Sequence, residues 1–289
     1  MNCPKCHAVS LNEEVCSSCG IIFSKFEKSI DQQKSQKRQG EFAALTGDFI
    51  PPSVELWLPP IAFVLGILIL WMMPFLTWMM CMWPHEFGHA FAGWLGGVAS
   101  TPIPFAGFTS YSGTRSWIVT GCFSTLLILL SYKCWKPKSY FLIFTFLGLF
   151  IAQFYYRFQD ADRLRMWQAY GGIGGEFWIS AWLIMAYHYR FPEKTYWHVF
   201  RPIFLLMGSI TFFHNMHLWI AISHGKAQIP WGALWGGHGD MNQLVDNWGW
   251  TPPMITESYL RLGYICLAIL VLHYVLKVGL HWISTPKKR

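Results

Sequence analysis

Long apolar runs separated by short polar interruptions fill the chain from residue 57 onward, and the first 56 residues are polar. Ile61 to Met82 carries no charged side chain, and neither does Pro202 to Ser223. A helix needs roughly 20 apolar residues to cross the hydrocarbon core of a bilayer. On that basis membrane helices are expected over residues 57–76, 77–95, 116–132, 139–156, 170–189, 202–223 and 259–282. One straight helix over the first two runs would be ~58 Å long in a core about 30 Å thick. A break is therefore expected, and Pro74 or Pro84 supplies it by removing a helix hydrogen bond. The fold class is all-α: a polytopic membrane domain over 57–289, with roughly six or seven membrane helices. A Gly- and Trp-rich stretch between Gly225 and Pro253 has no helical period.

Composition agrees with the pattern. The chain is 53% hydrophobic and only 13% charged, where soluble domains are about a quarter charged. The net charge of +7 raises nucleic-acid binding as a possibility. The basic residues argue against it. They lie in the tail, in short loops and in the closing Lys287-Lys288-Arg289, which is the distribution of positive-inside topology. Tryptophan and tyrosine read as interfacial belts. No secretory signal opens the chain. Basic residues at both ends favour two cytosolic termini and an even number of crossings. Seven runs conflict with that, unless the first two form one broken unit or one segment is re-entrant.

Residues 1–26 form a separate module. Cys3-Pro-Lys-Cys6 and Cys16-Ser-Ser-Cys19 are two knuckles with the thiolate spacing of a tetrahedral zinc site. So small a module lacks a core and needs metal to fold. Thiolate ligation requires a reducing compartment, so the N-terminus is expected in the cytosol. Four Cys ligands leave no open position, making this zinc structural. Residues 27–56 are a polar, basic linker that cannot fold alone. Cys81, Cys122, Cys134 and Cys266 are read as small core residues.

The chemistry lies in His85-Glu86-Phe87-Gly88-His89. Histidines four apart share a helix face and grip one Zn²⁺, with the intervening Glu as general base for an activated water. Glu86 is the only acidic residue between Glu55 and Asp160, and an ionisable group in an apolar segment marks function.

This stretch, continued by Ala90 and Trp94-Leu95-Gly96-Gly97, resembles the first motif of the site-2-type intramembrane zinc metalloproteases. Gly107 to Gly121 is similar to the glycine-rich segment that follows it there. The resemblance implies a third ligand, an Asp on a later segment. Glu176, Asp240 and Asp246 are the candidates, and glycine-flanked Asp240 is favoured. The family's Leu-Asp-Gly is replaced here by Gly-Asp-Met, and its Asn-Pro element is missing. The implied activity is hydrolysis of a membrane-anchored protein substrate, in what is expected to be a bacterial inner membrane.

His214 and His217, within an apolar run, and His238 are candidates for orienting the ligands. Interhelical hydrogen bonding is the competing reading for the pair. Two other functions stay open: a di-iron oxidase built from His85, His89, His214, His217 and His238, and a scaffold whose zinc ribbon recruits a partner.

Overall fold

The computed structural model describes residues 52–135, 139–189, 197–232 and 238–284, together with Cys6, 15–16, 18–19 and 21–22. The chain divides into two units, Met1–Pro51 and Pro52–Arg289. Cys3 and the linker 27–51 lie outside the described residues.

The second unit is mostly helical. Its elements are α1 (Pro52–Met72), α2 (Pro74–Leu95), β1 (Val98–Ile103), β2 (Phe108–Arg115), α3 (Trp117–Trp135), α4 (Tyr140–Arg157), α5 (Ala161–Ala186), α6 (Trp197–Ser223), α7 (Asp240–Trp248) and α8 (Pro252–Ser284). Among the described residues, four segments are long and apolar enough to cross a membrane: Trp117–Trp135, Tyr140–Arg157, Phe200–Ser223 and Pro252–Leu280. The break between the first two runs falls at Met73, directly before Pro74. Pro84 stays inside α2.

An all-α membrane domain was expected, and the chain departs from it between α2 and α3. Gly97, at φ +79°, turns the chain out of α2. Residues 98–115 then form an antiparallel hairpin, with Ser100 opposite Tyr111 and Ile103 opposite Phe108. β1 carries Val98, Thr101 and Ile103 and β2 carries Phe108, Thr109, Tyr111 and Thr114, β-branched and aromatic residues that fit a pleated surface better than a helix.

Cross-helix contacts give the directions. Tyr170 stacks on Tyr259, and the ring of His188 meets His273, so α5 and α8 run parallel. The carboxylate of Glu176 accepts from Asn215 and Tyr187 lies under Arg201, so α6 runs against α5. α3 and α4 form a hairpin in which Gln153 donates to the carbonyl of Thr120. α5 is the central helix: Phe177, Ala181 and Ile184 enter a core shared with Trp219, Leu244 and Tyr259. This explains its weak apolarity. Protein, not lipid, surrounds it, so glycine and polar groups are tolerated there. Leu127, Leu142 and Phe146 form a smaller cluster between α3 and α4. Cys81, Cys134 and Cys266 are buried as expected, but Cys122 is exposed on α3.

Candidate metal centre

α2 and α5 approach so closely that their backbones touch. A Cβ at Gly88 would stand 2.1 Å from the carbonyl oxygen of Gly171 and 2.6 Å from Cα of Gly175. Only glycine on both helices permits this. The approach drives the imidazoles of His85 and His89, on the same face of α2, against α5.

Both rings are locked by that helix. His89 Nδ1 donates to the backbone carbonyl of Gln168 at 2.6 Å. A carbonyl can only accept, so the proton sits on Nδ1 and the lone pair of the neutral ring on Nε2. His85 Nδ1 likewise faces the Glu176 carboxylate at 2.6 Å. Glu176 is 3% exposed and is itself held by the Asn215 amide.

The two Nε2 atoms lie 3.1 Å apart. Asp240 Oδ2 lies 3.1 Å from His85 Nε2 and 3.0 Å from His89 Nε2. Three lone-pair donors thus converge in a triangle with no polar hydrogen to share among neutral rings. A cation relieves that arrangement. Ligand bonds of about 2.0–2.2 Å in a tetrahedral site put donor atoms roughly 3.3 Å apart, so the triangle fits zinc. Beneath it, a Cβ on Gly172 would stand 2.5 Å from His89 Nε2 and 2.7 Å from His85 Nε2. The glycine keeps this space clear.

Asp240 is the first residue of α7, where its charge suits the helix dipole.

Glu86 is 2% exposed. Its Oε2 accepts from Thr109 Oγ1 of β2 at 2.7 Å, so the hairpin fixes the carboxylate. Glu86, both histidines and Asp240 line one cavity of about 1380 Å³. Thr109, Tyr111, Gly113 and Arg115, alternate residues of β2, line it as well. Burial, then the Asp240 and Glu86 carboxylates, push the Tyr111 phenol well above its ordinary pKa. Tyr111 therefore keeps its proton and is a hydrogen-bond donor in the cavity.

The other sequence candidates lie apart from this triangle. His214 lines the cavity, with its buried Nδ1 unpartnered among the described residues. His217 sets its ring against Trp71. His238 is exposed and pairs with Asp246, at 3.0 Å. Asn215, between the two histidines, is the residue of that segment that hydrogen-bonds the Glu176 carboxylate. Sequence reasoning missed Asn215, Thr109, Tyr111 and the Gln168 carbonyl. It weighed Glu176 as a ligand, whereas its carboxylate meets the far nitrogen of His85.

In the first unit, Cys6 and Cys16 Sγ lie 3.7 Å apart and Cys19 Sγ completes the group within 4.8 Å. Tetrahedral zinc with sulfur bonds of about 2.3 Å separates sulfurs by roughly 3.8 Å, so the spacing fits. An isolated bridge from Val15 to Ile22 closes the second knuckle.

No family model, curated protein or solved structure matches the chain.

Proposed function

We propose that the chain is an intramembrane zinc metallopeptidase that hydrolyses membrane-anchored protein substrates. The observation that carries the reading is the convergence of two oriented histidine lone pairs and the Asp240 carboxylate in a cavity that Glu86 also lines. His85, His89 and Asp240 would hold the ion. Zinc held there supplies Lewis acidity, polarising a carbonyl and acidifying water. Glu86 takes a proton from the attacking water and later delivers it to the leaving nitrogen. The amide C–N bond breaks, the water hydroxyl remains on the acyl carbon, and the amine leaves protonated. Thr109 keeps the Glu86 carboxylate aimed, and the Tyr111 phenol offers a donor to a substrate carbonyl.

Two histidines and a carboxylate also suit ferrous iron. Glu86 favours zinc: hydrolysis needs a buried base beside the ligand pair, and redox chemistry does not. A di-iron centre lacks support, because His217 and His238 find partners elsewhere. Cys6, Cys16 and Cys19, with Cys3 from the sequence, are proposed to hold a second, structural zinc.

The test pairs metal analysis of the purified chain with a comparison of membrane proteomes in cells carrying wild type or Glu86→Gln. A membrane-anchored protein that accumulates uncleaved only with the variant supports the reading. Zinc without any Glu86-dependent cleavage, in cells or in liposomes, leaves the scaffold reading in its place.

A further inference from the structure

His85 meets Glu176 and His89 meets Gln168, so α2 and α5 lie side by side and antiparallel. The cavity follows both helices away from the triangle of donor atoms in two directions. Toward the start of α2 it reaches Pro74, three turns before His85, or roughly 16 Å. Toward the start of α5 it reaches Asp162, almost two turns before Gln168, or about 9 Å.

The two directions differ in chemistry. The first is lined by Leu70 of α1, by Pro74, Trp78 and Met82 of α2, and by Leu218 of α6. Thr77 lines it too, but its hydroxyl is spent on the carbonyl of Met73. Among the described residues from α1, from α6 and from α2 ahead of His85, none that lines the cavity carries a charge. Pro74 and Trp78 are exposed, so this end meets the apolar surface of the unit. The second direction is lined by Arg115, Asp162, Arg165, Gln168, Asp246 and Asn247. Arg115 is engaged by three backbone carbonyls, and Asp246 pairs with His238. Arg165, one turn of α5 from the carbonyl that holds His89, is exposed and has no ion-pair partner among the described residues.

Size selects the form of the occupant. The two reaches together come to roughly 25 Å. A helix with its side chains is about 10–12 Å across, so a helical segment of that length fills ~2000 Å³ or more. The cavity holds about 1380 Å³. An extended chain rises about 3.3 Å per residue and covers the same length with roughly eight residues. Burying an unpaired charge is costly, so charged residues of such a segment are accepted only in the direction of Arg165.

We propose that the cavity is a two-part cleft for one extended segment: an uncharged apolar stretch lies against Trp78, Met82 and Leu218, and a polar stretch lies against Arg165 and Asn247. The scissile bond then falls where a membrane segment of the substrate gives way to its polar flank. That last step rests on the metallopeptidase reading, whereas the two-part cleft stands without it.

Binding is measured on the full chain carrying Glu86→Gln, in nanodiscs, with fluorescein-labelled peptides of eight residues. Each has four leucines and four polar residues, arranged apolar-first, apolar-last or alternating, and empty nanodiscs supply the background. One of the two block orders should bind about tenfold more tightly than the alternating peptide, since alternation forces polar groups into the apolar end. Leu218→Lys should remove about tenfold of that affinity, while Leu218→Met should keep it. Arg165→Glu, at an exposed position that does not threaten the fold, should shift the preference for Asp over Lys in the polar block roughly threefold or more toward Lys. Equal binding of block and alternating peptides overturns the proposal, and so does an unchanged Asp-to-Lys preference in Arg165→Glu. Cuts made by wild type and absent with Glu86→Gln are mapped on the same peptides by mass spectrometry. Block-selective binding without any such cut keeps the cleft and removes the peptidase. Cuts scattered alike over block and alternating peptides keep the peptidase and overturn the cleft.

Discussion

Gly172→Ala tests whether the three donor atoms form a metal site as arranged. The new methyl carbon would stand 2.5 Å from His89 Nε2 and 2.7 Å from His85 Nε2. Ordinary contact needs about 3.5 Å or more, so one side must give way by roughly 1 Å. The rings cannot yield freely, because both Nδ1 atoms are anchored at 2.6 Å to α5 itself. Metal bonds tolerate only about ±0.2 Å. The variant must lose either an anchor or a ligand bond. A misplacement of ~1 Å costs on the order of 10²-fold in rate, or about 2.7 kcal/mol. Gly148→Ala in α4 is the control, since its Cβ meets nothing within 4 Å. The measurements are zinc per purified chain, with the cysteine module's share subtracted using a variant lacking His85 and His89, and hydrolysis of an identified substrate. Full zinc occupancy and undiminished hydrolysis in Gly172→Ala would refute the reasoning.

Glu86→Gln should retain both zincs and lose hydrolysis by about 10²- to 10⁴-fold, whereas His85→Ala should lose the catalytic zinc and activity together; metal analysis beside a cleavage assay separates them. Glu176→Ala removes the acceptor that orients His85 and should weaken zinc about 10- to 100-fold. Glu176→Gln keeps an acceptor oxygen and should weaken it less, as read by chelator competition; equal losses would show that Glu176 only fills space. Cys16→Ser should lower the zinc content of the full chain by one ion while sparing Glu86-dependent cleavage, and an unchanged metal count would remove the structural-zinc assignment.

Much of the site was legible because its chemistry is local. His85, Glu86 and His89 lie within one turn and a half of helix, and an ionisable cluster in an apolar run stands out. Asp240 was recognisable by its glycine neighbours, and the structure brings its carboxylate to both imidazoles. The partners of the ligands were less legible. His89 is oriented by a backbone carbonyl, which every residue has and no side-chain pattern encodes. Asn215 was overlooked because histidines flank it and histidines attract metal-site arguments. Thr109 and Tyr111 were passed over because 98–115, between the expected spans 77–95 and 116–132, was read only as a glycine-rich connection, although the alternation of β2 was there to be read.

The glycines of α5 carry the deepest connection between sequence and chemistry. Gly171-Gly172-Ile173-Gly174-Gly175 lowers the apolarity of this run, so it reads as the weakest membrane helix. Lipid-facing helices gain from large apolar side chains, and a helix enclosed by protein gains from small ones, because backbones can then touch. Gly175 and Gly171 use that freedom to admit Gly88, which lies between the two histidines of the motif. Gly172, on the same face, leaves the room that the donor atoms need. The loss of apolar character is thus the trace of the close α2–α5 packing that brings the donor atoms together. A helix in this position with ordinary leucines would span lipid better, but it would hold α2 too far away for Gln168 and Glu176 to orient the imidazoles.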